Sequence, residues 1–460
     1  MDAASLGVFR ILFGVFLLAE TARFFLHGWI REYYLAPGLL FKYYGFAWID
    51  PWPGDGLYWH FGLMGLLAAM VALGLFYRMA IVGLLFAFGY VFLLEQANYL
   101  NHYYLLLTVA LILCFLPAER GFSLDALRRR ATGAQVPRWS VWALRLQFEL
   151  MLVYAGLVKL NGDWFQGEPL GLWLAARTDL PLVGSWLAAP GVAVAASYGV
   201  IALHLVGAPL LLWRRTRLAV FILYTAFHLS NSILFRIGVF PWITLAGTLI
   251  FFAPDWPRQL WRRLEDAVAP VAPTQVSPPS PVGTPQCARP LAFGCLVVFF
   301  VLQLLFPLRS LLYPGNVAWT GEGHRFSWRM KLNDRRATAR FMVTDPQDGR
   351  HWEVNPADYL RPRQEQVMAT QPDMILQFAH YLAGIWEQRE AVADVEVRAE
   401  VMYSLNGRPP APLVDPGRDL SKVSRTLKHQ DWILPENQVS GRILCLPSLR
   451  LICGLSMPSW

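Results

Sequence analysis

Apolar stretches recur nine times between residues 6 and 307, separated by short hinges and polar loops. They lie near 6–27, 58–76, 79–97, 100–117, 139–159, 193–213, 217–234, 238–254 and 291–307. A helix of about 20 such residues crosses a hydrocarbon layer. The pattern therefore predicts a polytopic α-helical membrane protein of about nine helices. Residues 1–264 form its helical domain and 291–312 its last transmembrane helix. The first run holds Arg10, Glu20 and Arg23 and is preceded by Asp2, which reads as a retained helix instead of a cleaved signal. Between the last two runs, residues 265–290 are rich in Pro, Ser, Ala and Val, the composition of an extended linker.

From residue 313 to 460 the pattern changes to that of a mostly-β domain. Phe326 to Lys331, Thr338 to Val343 and Val395 to Leu405 alternate as strands do, with turns at Asp345 to Gly349 and at Asn406-Gly407. Gln366 to Arg389 carries Met374, Phe378 and Leu382 at spacings of four, an amphipathic helix.

Composition agrees: 55% of residues are hydrophobic and 16% charged. The net charge of +8 resides in clusters between apolar runs. These are Arg120, Arg128, Arg129, Arg130 and Arg138; Arg214, Arg215 and Arg217; and Arg258, Arg262 and Arg263. With a cytoplasmic N-terminus, all of them and Arg78 fall on the cytoplasmic side, and the domain beyond 313 is extracytoplasmic. This accounts for the basic balance through the lipid bilayer, without nucleic acid. The five cysteines show no metal-ligand spacing, while Cys445 and Cys453 leave a bridge open.

Ionisable and amide groups within the apolar runs are the candidate chemistry. Lys159 ends the fifth run and is followed by Leu160-Asn161-Gly162-Asp163-Trp164. An ammonium at the edge of hydrocarbon pairs, snorkels, or gives up its proton to become a base. Asn98, Asn101 and His102 open the fourth run, and His228 and Asn231 share a face of the seventh, with Arg236 just beyond it. Each has a simpler reading: Asn101 as a helix cap, Glu149 as a partner of Arg145, His204 as a packed ring bonded to a carbonyl. No metal site is expected, since neither His-x-x-x-His nor Glu-x-x-His occurs in the helices. Phosphate loops and nucleophile elbows are absent as well. A lysine with histidines and asparagines in an apolar setting suits proton abstraction from a lipophilic organic molecule.

These segments resemble the vitamin K-dependent γ-glutamyl carboxylase family, in its bacterial branch. The likeness is carried by Phe41-Lys42-Tyr43-Tyr44-Gly45-Phe46, Gly74-Leu75-Phe76-Tyr77-Arg78, and Tyr90 to Gln96 running on to Asn101-His102-Tyr103. It continues in Ala155 to Trp164, Phe227-His228-Leu229-Ser230-Asn231, Phe326-Ser327-Trp328-Arg329-Met330 and Val354-Asn355-Pro356. The resemblance implies an inner-membrane enzyme that oxidises vitamin K hydroquinone (or a menaquinol) with O2 and adds CO2 to the γ-carbon of glutamate in a protein or peptide substrate. It implies Lys159 as the base, with Asn101 and His102 catalytic. His228 and Asn231 would bind the quinol, and Trp328 and Met330 would form a lid. Ser310 and Val158 depart from residues common in relatives. A quinol epoxidase without glutamate carboxylation, and a non-enzymatic transporter or scaffold, are the competing expectations.

Overall fold

The computed structural model of the protein describes residues 1–129, 135–181, 183–235, 237–268, 290–389 and 394–436. It divides into two compact units. The first comprises Met1–Arg309 together with Arg325–Leu332; the second comprises Ser310–His324 and the chain from Asn333 onward.

The first unit is helical. Its long elements are α1 (Ala4–Leu26), α2 (Gly56–Leu73), α3 (Tyr77–Leu94), α4 (Asn101–Phe115) and α5 (Arg138–Leu157). They are followed by α6 (Val192–Leu212), α7 (Arg217–Leu234), α8 (Phe240–Leu249), α9 (Trp256–Val268) and α10 (Pro290–Leu305). Among the described residues, six helices are long and apolar enough to cross a membrane: α1, α2, α3, α6, α7, and α10 with its extension to Leu312. α4 and α8 are apolar but shorter.

Local chemistry sets the helix ends. Between α2 and α3, Gly74 takes a left-handed φ of 63°, and a Cβ there would meet the Arg10 guanidinium. α3 stops at Leu94 because Glu95 turns extended and its carboxylate accepts from Ala97 N at 2.8 Å. α8 is ten residues long where a run of 238–254 was expected. Its last turn is taken up by Arg145 on α5, which donates to the carbonyls of Ile250, Phe251 and Phe252 at 2.9 to 3.2 Å. Arg145 thus does not pair with Glu149, whose two carboxylate oxygens are buried with no partner among the described residues.

The core of this unit is aromatic and aliphatic. Phe9 meets Phe148 edge-on at 5.9 Å, and Gly247 lets α8 lie against that ring. The buried Arg10 donates to Val71 O, Ala72 O, Gly121 O and Phe122 O at 2.6 to 3.3 Å, four backbone carbonyls that meet its guanidinium.

The second unit holds a four-stranded antiparallel sheet in the order β2-β1-β3-β4. Its strands are β1 (Arg335–Thr344), β2 (His351–Val354), β3 (Glu396–Leu405) and β4 (Ala411–Pro412). β1 and β3 pair from Arg335 with Leu405 to Thr344 with Glu396. The expected amphipathic helix is two elements, α11 (Pro362–Met368) and α12 (Pro372–Arg389), because Pro372 cannot continue the earlier helix. α12 packs Phe378 against Phe341 of β1 at 4.9 Å, edge to face.

One expected strand is not one. Phe326 to Lys331 belongs to the helical unit and forms turns, with left-handed φ of 58° at Phe326, 53° at Trp328 and 44° at Lys331. Three such residues in six prevent the extended backbone that the alternation suggested. Arg236, most of the expected linker (269–289), Cys445, Cys453 and the tail from 437 lie outside the described residues.

Candidate functional site

α5 ends at Leu157, and the chain turns tightly to bring Lys159 back over the helix end. Asn161 then caps a short helix, accepting from Trp164 N at 3.2 Å while donating to Val158 O at 2.9 Å. That double bond fixes the turn. It also sets the Trp164 ring 4.9 Å from the Lys159 amine.

Lys159 is only 4% exposed. Its amine donates to Ala155 O at 2.7 Å and to Met330 O at 3.1 Å, both neutral carbonyls. Among the described residues no carboxylate forms an ion pair with it, so it neither snorkels nor is neutralised.

The segment Arg325–Leu332 supplies one of those carbonyls and is itself a strap across the ends of α4 and α5. Asn101 Nδ2 donates to Arg329 O at 3.4 Å, and Trp164 Nε1 to Leu332 O at 2.9 Å. Phe326 N donates to the Tyr99 hydroxyl at 2.7 Å, and that hydroxyl reaches Asn101 Oδ1 at 3.1 Å. Phe326 is ringed by Tyr43, Phe92, Tyr99 and Tyr104 at 5.1 to 6.1 Å. Trp328 is fully buried, 4.7 Å from Tyr104. Asn101, Lys159, Trp328 and Met330 therefore come together, the strap meeting the first two through its backbone.

The histidines form a second group. His102 on α4 and His228 on α7 both approach the Phe240 ring, at ring distances of 6.0 and 6.1 Å. His228 is buried among Tyr224, Phe227 and Phe240, and neither ring nitrogen has a partner among the described residues. Asn231 lies one turn further along α7, half-buried. His204 connects the groups. It sits in a π-helical turn of α6, Leu203–Gly207, with its ring 5.3 Å from Phe227. Its Cβ lies close to Gly156 on α5, where an added methyl would approach to 2.9 Å. Its Nδ1 bonds Val200 O at 2.8 Å, the packed-histidine arrangement.

Three contributors escaped the sequence reading. Tyr99 ties α4 to the strap, and its position two residues before Asn101 was the available signal. Trp164 stands in the sequence only as the end of the Lys159 turn, yet its ring lies 4.9 Å from the amine and its N–H donates to Leu332 O. Glu20, buried on α1, accepts from the Tyr103 hydroxyl at 2.7 Å and pairs with Arg23 at 2.6 Å.

A lipophilic aromatic ring with two hydroxyls fits the chemistry of this donor set. The side chains around Lys159 and the histidines are mostly aromatic, and one buried imidazole has both nitrogens without a partner among the described residues. Comparison with known families gives two matches along the chain. The HTTM domain matches residues 1–256. The vitamin K-dependent gamma-carboxylase, lumenal domain, matches residues 288–439. No solved structure matches the chain significantly.

Proposed function

Because the chain belongs to the vitamin K-dependent carboxylase family and is an integral membrane protein, we propose that it is a peptidyl-glutamate 4-carboxylase. In this reading it couples O2-dependent epoxidation of vitamin K hydroquinone, or of a menaquinol, to addition of CO2 at the γ-carbon of a glutamate in a protein or peptide. The observation that carries the reading is the Lys159 amine, buried on two neutral carbonyls with no ion pair among the described residues.

The bound hydroquinone supplies, with O2, the strong base that the carboxylation requires. Everything else falls to this chain's residues. Lys159 works as the uncharged amine and takes up the proton of a ring hydroxyl at Nζ; among the described residues no carboxylate pairs with it to favour the ammonium. Ala155 O and Met330 O then receive the N–H bonds of the protonated amine. Asn101 and His102 stabilise negative charge on oxygen from the α4 end. His228 and Asn231 hold the ring from α7, where the unsatisfied imidazole nitrogens are available as donor or acceptor. Trp328 and Met330 exclude water from the amine. The N-terminus faces the cytoplasm and the gamma-carboxylase domain the opposite side, which is the arrangement the arginine clusters favour.

The test uses membranes containing the protein, reduced vitamin K, labelled bicarbonate and a Glu-containing peptide. Label in the peptide together with epoxide supports the proposal. Epoxide without label leaves a quinol epoxidase, and neither product returns the chain to a transporter or scaffold.

A further inference from the structure

α9 follows directly on the last turns of α8, and its chemistry differs from that of the spans. At about 100° per residue, Leu260, Trp261 and Leu264 fall on one side. Arg262 lies opposite, with Arg258 and Arg263 at the two borders. Among the described residues nothing covers the apolar side: Leu260 is 49% exposed, Trp261 64% and Leu264 54%.

The depth of this helix is fixed by its neighbours. Arg258 Nε pairs with Asp2 at 3.1 Å, and its guanidinium lies 5.3 Å from the Phe122 ring. Ser5 N donates to Pro254 O at 2.9 Å. Asp2 and Ser5 bracket the first residue of α1, so α9 is tied to the level at which a membrane span begins. Other basic groups gather at this end. The Met1 ammonium donates to Val136 O at 2.9 Å, and Arg120 to Gln135 O at 3.0 Å. Arg128 lies 5.0 Å from the Phe76 ring.

We propose that α9 lies in the headgroup layer, with Leu260, Trp261 and Leu264 among acyl chains and Arg262 and Arg263 on acidic phospholipid headgroups. A contiguous apolar face left bare in water at this level would be unfavourable, whereas immersion by the width of a side chain covers it. The charge argument selects the lipid. Arg258 is already committed to Asp2, but Arg262 and Arg263 are exposed with no ion pair among the described residues, and they meet the phosphates of an anionic surface.

Two measurements on the full chain test this. In detergent, native mass spectrometry reads retention of phosphatidylglycerol against phosphatidylcholine. Preferential retention of the acidic lipid is expected, and Arg262→Gln with Arg263→Gln should weaken it roughly thirty-fold, at about 1 kcal/mol per arginine. Equal retention of both lipids, or no change in the double variant, overturns the headgroup assignment. In nanodiscs, spin labels at Leu264→Cys and Arg262→Cys, with the native cysteines replaced by serine, report collision with O2 and with a water-soluble nickel complex. Preference for O2 at 264 and for nickel at 262 is expected. Nickel access at 264 overturns immersion, and protection from both reagents at 264 assigns the face to a second copy of the chain. Should the cysteine-free background fail to fold, the lipid-retention measurement decides alone.

Discussion

Asn101 and Lys159 donate to consecutive carbonyls of one strap, Asn101 Nδ2 to Arg329 O at 3.4 Å and Lys159 Nζ to Met330 O at 3.1 Å. Their helices approach from different parts of the sequence, and the strap is what registers one against the other. The arrangement makes the amine's environment depend on Met330, 171 positions away in the chain.

Replacing Lys159 by Met keeps the stem and removes the amine. Epoxide formation should fall by about 10²–10⁴-fold, the range for loss of a positioned acid–base group, while the melting temperature holds. Lys159→Arg should be equally inactive, because a guanidinium keeps its proton. Chromatographic assay of epoxide decides; normal activity in either variant removes Lys159 as the base.

Tyr99→Phe deletes the hydroxyl shared by Phe326 N and Asn101 Oδ1. The expected cost is about 0.5–1.5 kcal/mol, with faster proteolysis at the strap. Unchanged cleavage between 325 and 332 would show that the strap is held by its rings alone.

Trp328→Ala empties a fully buried site against Tyr104. A loss of about 3–5 kcal/mol follows for a large aromatic, read as a drop in melting temperature. Trp328→Phe should recover most of that stability.

His228→Leu separates structure from function. Both imidazole nitrogens are buried and unsatisfied among the described residues, so an apolar side chain should leave thermal stability equal or higher. Epoxide formation should nevertheless fall. A destabilised but active variant would mark His228 as structural.

Gly247→Ala drives a methyl into the Phe148 ring between α8 and α5. About 1–3 kcal/mol of destabilisation is expected from overpacking, checked by thermal melts in detergent.

Much of the helical unit was legible because apolar runs of bilayer length leave few alternatives. α7 begins and ends where the run does, at Arg217 and Leu234. The shortening of α8 was not legible, since it depends on Arg145, which lies 105 residues before Ile250 in the chain. The split between α11 and α12 follows from Pro372, which the four-residue spacing of Met374, Phe378 and Leu382 does not reveal. The strap was misread for a deeper reason. Alternating Phe326, Trp328 and Met330 imitates a strand, and nothing in those residue types announces left-handed backbone. Lys159, Asn101, His102, His228 and Asn231 stand out in the sequence as polar groups in apolar runs, Trp328 and Met330 only through the resemblance; geometry adds the carbonyls that meet Lys159 and Asn101, which side-chain motifs cannot carry.

Arg10 gathers carbonyls from both the end of α2 and the stretch Gly121–Phe122. During synthesis its charge therefore has no complete set of acceptors until the ribosome has produced more than 120 residues. Until then α1 has reason to hover near the headgroups, because burial without those acceptors is unfavourable. The first four helices should accordingly settle into the bilayer together, as one insertion step instead of four.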